Sequence, residues 1–246
     1  QATGFALFGG PHILSLVTEV ATRALKAVRY QKYNVHLRLR PEALAGRIEY
    51  ANEPDVIAEC PDAAAAFQEL AASIAPTVAA VQAANASGSA LLPMAFQEGS
   101  PMHPAYGAGH ATVAGACVTI LKAFFDTDAV FVRRGGRDAF LGKEAGDSPV
   151  AYRPNAAPGA LGSSLVPSTD GPFLKLEGEL NKLAANISIG RNMGGVHYFT
   201  DYYDSLRMGE AIAIGMLEEQ ALCYPTDQFV LSVPTFDGKV ARIGAR

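Results

Sequence analysis

The sequence predicts a mainly α-helical bundle joined by long loops, and three observations carry that reading. Apolar residues recur at helical spacing in five stretches, glycine and proline gather between them, and strand-like alternation is confined to the C-terminal tail. A first helix is expected from about His12 to Arg29, where Ile13, Leu14, Leu16, Val17, Val20, Ala21, Ala24, Leu25 and Val28 make a broad apolar face. Pro11 falls in its opening turn, where a missing N–H is harmless. A second, alanine-rich helix is expected from Asp62 to Ala84, with Phe67, Leu70 and Ile74 toward the core and a kink or break at Pro76. A third runs from Gly109 to about Phe125, a fourth from Pro172 to Ile189, and a fifth from Thr200 to Tyr224. The stretch Asp126 to Gly171 is too long for an ordinary connection, so it is expected to be functional or structured in its own way. The tail from Phe229 to Ile243 alternates around Phe236-Asp237-Gly238 and reads as a β-hairpin. No internal repeat is found.

Composition narrows the function classes. Hydrophobic residues make up 49% of the 246 and charged residues 18%, as in a globular domain with a sizeable core. A net charge of -4 argues against a nucleic-acid partner, which calls for a basic stripe. The longest apolar run, Ala111 to Phe125, is short of the roughly 18–20 residues of a membrane span, so no membrane is expected as a partner. Cys60, Cys117 and Cys223 are scattered, without metal-ligand spacing, and read as buried or incidental thiols. The whole of 1–246 is expected to be a single helical-bundle domain. Its start at Gln1, without Met or leader and helical almost at once, reads as that of a fragment of a longer chain.

Three clusters carry chemistry. The first, Gln31 to Pro41, holds Lys32, His36, Arg38 and Arg40 at the point where the first helix is expected to give way to a loop. A solvated helix end explains such cations equally well, but Pro41 stiffens the chain where a guanidinium could be aimed at a tetrahedral oxyanion. The second, His103 to Thr112, is a glycine-rich turn entering an apolar helix, whose free N–H groups and positive dipole end suit an anion. His110 stands in the first turn as a proton donor, and His103 lies seven residues upstream. The third, Gly190 to Asp201, sets Arg191 six residues before His197 and Asp201 four after it. On a shared helix His197 and Asp201 would face one side, letting the carboxylate fix the histidine's tautomer. Each cluster alone has an ordinary structural explanation. Together they describe one pocket of a lysine, two arginines, a helix N-terminus and two histidines. His12 and His36 are read as structural or peripheral.

In their order, Lys32…Arg40-Pro41, then Gly109-His110, then Arg191-x5-His197-x3-Asp201, the clusters resemble the three-part signature shared by vanadium haloperoxidases and phosphatidic-acid-phosphatase-type acid phosphatases. The eight-residue step from Lys32 to Arg40, the extra histidine His103 and the long Asp126–Gly171 insertion are similar to the algal and cyanobacterial bromoperoxidases in particular. That resemblance implies a helical bundle of this superfamily with vanadate as cofactor. Its implied reaction is oxidation of bromide or iodide by hydrogen peroxide to hypohalous acid, which halogenates small organic acceptors, and the implied assembly is a homo-oligomer. His197 would bind vanadium through a ring nitrogen, with Asp201 behind it. Lys32, Arg40, Arg191 and the Gly109 N–H would neutralise the vanadate oxygens, His110 would act as acid–base at the apical oxygen, and His103 would tune the pocket beside the halide. Ala108 stands where the family often carries a serine, removing one hydroxyl contact of roughly 0.5–1.5 kcal/mol, or about twice that to a charged group.

Two rivals stay open at this level. A phosphatase on the same scaffold would use His197 as the nucleophile and His110 to protonate the leaving group. Alternatively, the chain is inactive without a partner chain or a missing N-terminal half.

Overall fold

Eight α-helices and three small antiparallel sheets make up the computed structural model, which describes residues 4–157, 159, 164–224, 226 and 228–244. α1 (Gly10–Tyr30) has Pro11 in its first turn, as expected. Its buried positions Leu16, Val20, Ala24 and Val28 stand four apart and form one stripe. Instead of giving way to a loop, the chain continues into a π-helical segment, Gln31–His36. The stripe's next position is Lys32, only 3% exposed, so the face that buries α1 ends in a cation. Leu37, left-handed at φ 48°, stops the segment.

α2 (Pro41–Tyr50) and α3 (Pro54–Glu59) were not anticipated from the sequence. Each opens on a proline that serves as a helix start rather than a stiff bend. The expected helix from 62 to 84 divides at Ile74 into α4 (Pro61–Ser73) and α5 (Ala75–Ala84), which meet at 86°, with Pro76 in the first turn of α5. Phe67, Leu70 and Ile74 are half-buried instead of core, and Ala64 is the buried residue of α4. Among the described residues no single helix is long and apolar enough to cross a membrane. The α4–α5 pair reaches that apolarity only when its two bent halves are added.

α6 (Gly109–Phe124) is the axis of the bundle and touches α1, α7 (Leu176–Met193) and α8 (Phe199–Ala221). It faces two cores. Leu16, Val20, Ile120, Met216 and Leu217 form one with the C-terminal hairpin, and Ala111, Val118, Leu180, Ala184 and Leu206 form the other. Two reciprocal glycines bring α6 and α8 into backbone contact. A methyl on Gly115 would overlap the Leu206 carbonyl oxygen, and one on Gly209 the Thr112 carbonyl oxygen.

Buried Lys122 of α6 reaches Glu210 of α8 at 3.5 Å and Asn181 of α7 at 3.3 Å, 4.2 Å above the ring of Phe236. Glu210 in turn accepts the Phe236 N–H at 2.8 Å. This network staples the hairpin β6 (Val230–Pro234) and β7 (Val240–Gly244), the strand pair expected from the tail, to three helices.

The stretch Asp126–Gly171 is not an open loop. β1 (Val130–Arg134) pairs with β2 (Arg137–Gly142) and β3 (Ser148–Pro149), and β4 (Ala151–Pro154) pairs with β5 (Leu165–Ser168). A 3-10 turn, Gly171–Phe173, leads into α7, which starts and ends about four residues later than expected. Cys60 and Cys223 are exposed and Cys117 half-buried, all free, so none is a core thiol.

Candidate active site

The third cluster is built at the join of α7 and α8. His197 does not share a helix with Asp201 but sits two residues before α8 begins, with Tyr198 as N-cap. Asp201, fully buried in the first turn of α8, accepts the Tyr198 N–H at 3.0 Å and the His197 Nδ1 proton at 2.9 Å through the same Oδ2. The pairing expected of these two residues is therefore present, achieved by a helix cap instead of a helix face. Burial alone would raise the Asp201 carboxyl, but the bonds from His197 and the Tyr198 N–H hold it below its ordinary value.

With Nδ1 donating to Asp201, the other ring nitrogen carries the lone pair. Arg40 Nη1 stands 3.0 Å from His197 Nε2, and a guanidinium can only donate, which fixes the same tautomer from the opposite side. Burial, opposed by the Asp201 bond, pushes the His197 ring below its usual pKa, so the imidazole is neutral, with its Nε2 lone pair turned to Arg40.

The cations are held by backbone oxygens. Lys32 Nζ donates to the Pro104 and Ala105 carbonyls at 2.7 and 3.0 Å. Its burial, with Arg40 adding to it, lowers it to about 8. Arg40, 5% exposed, spends Nε on the His103 carbonyl and Nη1 on the Val196 carbonyl, both at 2.8 Å, while Nη2 lies 2.9 Å from His103 Nδ1. Arg191 lines the same cavity, and its Nε is buried with no hydrogen-bond partner among the described residues.

The remaining side of the site is the start of α6. Its first N–H groups have no intrahelical partner, and Gly109 and His110 open onto the cavity. His110 is exposed on one side at the cavity mouth, and partial desolvation of its ring, reinforced by Arg191, keeps it below the ordinary value. The His103 ring is lowered likewise by burial.

Lys32, Arg40, His103, Gly109, His110, Arg191 and His197 thus line one cavity of about 730 Å³, whose other wall is apolar, with Leu25, Val113, Cys117 and Ile187. Asp201 lies behind His197, outside the lining. Ala108 is also outside it: its methyl packs into the core beside Leu180 and Ala184. The hydroxyl near this turn comes from Ser205 of α8, which accepts the Ala108 N–H at 2.8 Å. Ser205 escaped the sequence reading, since nothing in its spacing ties it to residues 97 positions earlier. Arg38 was counted among the cations of the first cluster but given no place in the site. Its Nη1 bonds Asp201 Oδ1 and Thr200 Oγ1, each at 2.8 Å.

Three cations, a helix N-terminus and an imidazole whose Nδ1 is held by Asp201 line one cavity, and together they fit a tetrahedral oxyanion held through one histidine. The model of the VCPO second helical-bundle domain matches residues 74–223, and the chain belongs to that family. It is 48% identical to a vanadium-dependent bromoperoxidase of Corallina pilulifera and 47% identical to one of Corallina officinalis, in each case over 97% of this chain and 38% of the relative. Among solved structures it is similar to the homohexameric second vanadate-dependent bromoperoxidase of Ascophyllum nodosum, with a TM-score of 0.69 and 28% identity over 99% of this chain and 41% of that one. The chain thus spans well under half the length of these relatives.

Proposed function

We propose that this chain binds vanadate and carries the halide-oxidising site of a vanadium-dependent bromoperoxidase. Its reaction would be oxidation of bromide, or iodide, by hydrogen peroxide to hypohalous acid, which then halogenates small organic acceptors. The observation that carries the reading is the convergence of Lys32, Arg40, Arg191 and His197, its Nδ1 held by Asp201, on one cavity. Similarity to bromoperoxidases supports it, and the homohexameric neighbour supports a homo-oligomeric assembly.

Bound vanadate supplies Lewis-acid activation of peroxide. His197 would offer Nε2 as the ligating atom in exchange for its contact with Arg40, and Asp201 keeps the proton on Nδ1 so that Nε2 carries the lone pair. Lys32, Arg40 and Arg191 offset the oxyanion's charge, with the Gly109 N–H as a further donor. His110, exposed at the mouth with a lowered pKa, can take a proton from an entering peroxide and return one to a departing oxygen. His103, braced against Arg40, shapes the side at which a halide approaches. The apolar wall keeps water from crowding the reacting atoms and strengthens these electrostatic contacts.

Dye bromination with peroxide and bromide, with and without orthovanadate, tests the reading beside p-nitrophenyl phosphate hydrolysis by the vanadate-free protein. Vanadate-dependent bromination that vanishes in His197→Ala is the expected result. Phosphate-ester hydrolysis inhibited by vanadate, without bromination, would replace the reading with a phosphatase.

A further inference from the structure

Behind His197 and Asp201 lies a cation, Arg38. Asp201 is fully buried, and its two oxygens are divided: Oδ2 serves His197 and the Tyr198 N–H, while Oδ1 receives Arg38. The Arg38 guanidinium, part-exposed, lies over two tyrosine rings, 5.2 Å from the centre of Tyr106 and 5.4 Å from that of Tyr198. Tyr106 is itself fixed by donating to Asp204 at 2.9 Å. The Arg38 backbone is tied too, its carbonyl accepting the Ala105 N–H at 2.9 Å. Neighbouring Ala105 and Pro104 supply the two oxygens that hold Lys32.

We propose that Arg38 is a positioning residue for this site: it anchors Asp201 from behind, so that the carboxylate fixes the His197 ring and leaves the pocket's cations to the oxyanion. Two physical effects support it. With Oδ1 anchored, the carboxylate cannot swing about its χ2 axis, and Oδ2 stays in line with Nδ1. Charge is the second effect. Asp201 sits close behind a pocket that owes its affinity to Lys32, Arg40 and Arg191, and would offset one of those charges if left alone. Arg38 offsets Asp201 instead. The inference rests on the oxyanion reading above but concerns a residue outside the cavity lining.

The test uses Arg38→Gln with two readings: titration calorimetry of orthovanadate and of inorganic phosphate, and the 15N shifts of the His197 ring in protein labelled at histidine. Wild type should show one tautomer, with the proton on Nδ1. Arg38→Gln should bind both anions about tenfold more weakly, the lower end of what losing an outer-shell partner does, and its His197 shifts should move toward a mixture of tautomers. Wild-type values in either reading would overturn the proposal, since weaker binding with an unchanged ring is only a general charge effect. If Arg38→Gln does not fold, Arg38→Lys carries the same readings, with smaller changes in the same direction expected and wild-type values overturning it. Should the wild-type protein bind neither anion, the proposed function falls, and the ring shifts alone decide the role of Arg38.

Discussion

Lys32 shows at the residue scale how burial makes the charge of a lysine pH-sensitive. A group lowered to about 8 is charged below that pH and neutral above it, so under the proposed function its contribution to oxyanion binding would be present at lower pH and fade as pH rises through 8. Sulfate, which does not itself titrate there, should bind progressively more weakly above pH 8, and the bend should disappear in Lys32→Arg, which stays protonated. Calorimetry at several pH values checks both. Lys32, Arg40, His110, Arg191 and His197 were legible in the sequence because each stands in a short pattern: a lysine eight before an arginine, a histidine opening an apolar helix, an arginine six before a histidine; the rest of the lining, such as Arg29, Tyr33 and Cys117, stands in none. Arg38 and Ser205 were not. Their partners, Asp201 and the Ala108 N–H, lie 163 and 97 positions away, and no local spacing encodes such a contact.

Among the elements, α6 has the most demanding environment, with cores on both sides and a buried cation near its end. Removing the carboxylate from Lys122 in Glu210→Ala leaves an uncompensated buried charge and a Phe236 N–H without its acceptor. That variant should lose about 3–5 kcal/mol. Lys122→Met combined with Glu210→Gln should recover most of it, because the charge is gone and the amide oxygen can still accept from Phe236. Urea unfolding of both variants measures the difference. The long helices were readable from their apolar periodicity, and the C-terminal hairpin from its alternation. α2 and α3 were not, because prolines that begin helices resemble prolines that interrupt them. β1 to β5 were missed because strands such as Val130–Arg134 and Arg137–Gly142 carry charged residues at consecutive positions and bury little, leaving no alternation to see.

Stability is spread unevenly over the molecule as a whole. α3 and α5 have no buried residue, whereas α6 has nine. Hydrogen exchange should accordingly be fast through α3 and α5 and slowest in α6, since opening an element costs what its burial contributes. Equal protection in both would contradict this picture. The reciprocal glycines of α6 and α8 bear on the candidate site as well as on the fold. His110 opens α6, and His197 with Asp201 stands at the start of α8, so the separation of the two histidines is set where Gly115 and Gly209 let two backbones touch. The two helices form a keyed joint, and rigid rods carry any error at the key to their tips. In Gly209→Ala, overpacking should cost about 1–3 kcal/mol in unfolding experiments. Halide oxidation should fall far more, by about a hundredfold if the tips shift by about 1 Å. An added methyl with no contact to any reacting atom would then act as a gauge of how finely the two helices must be set.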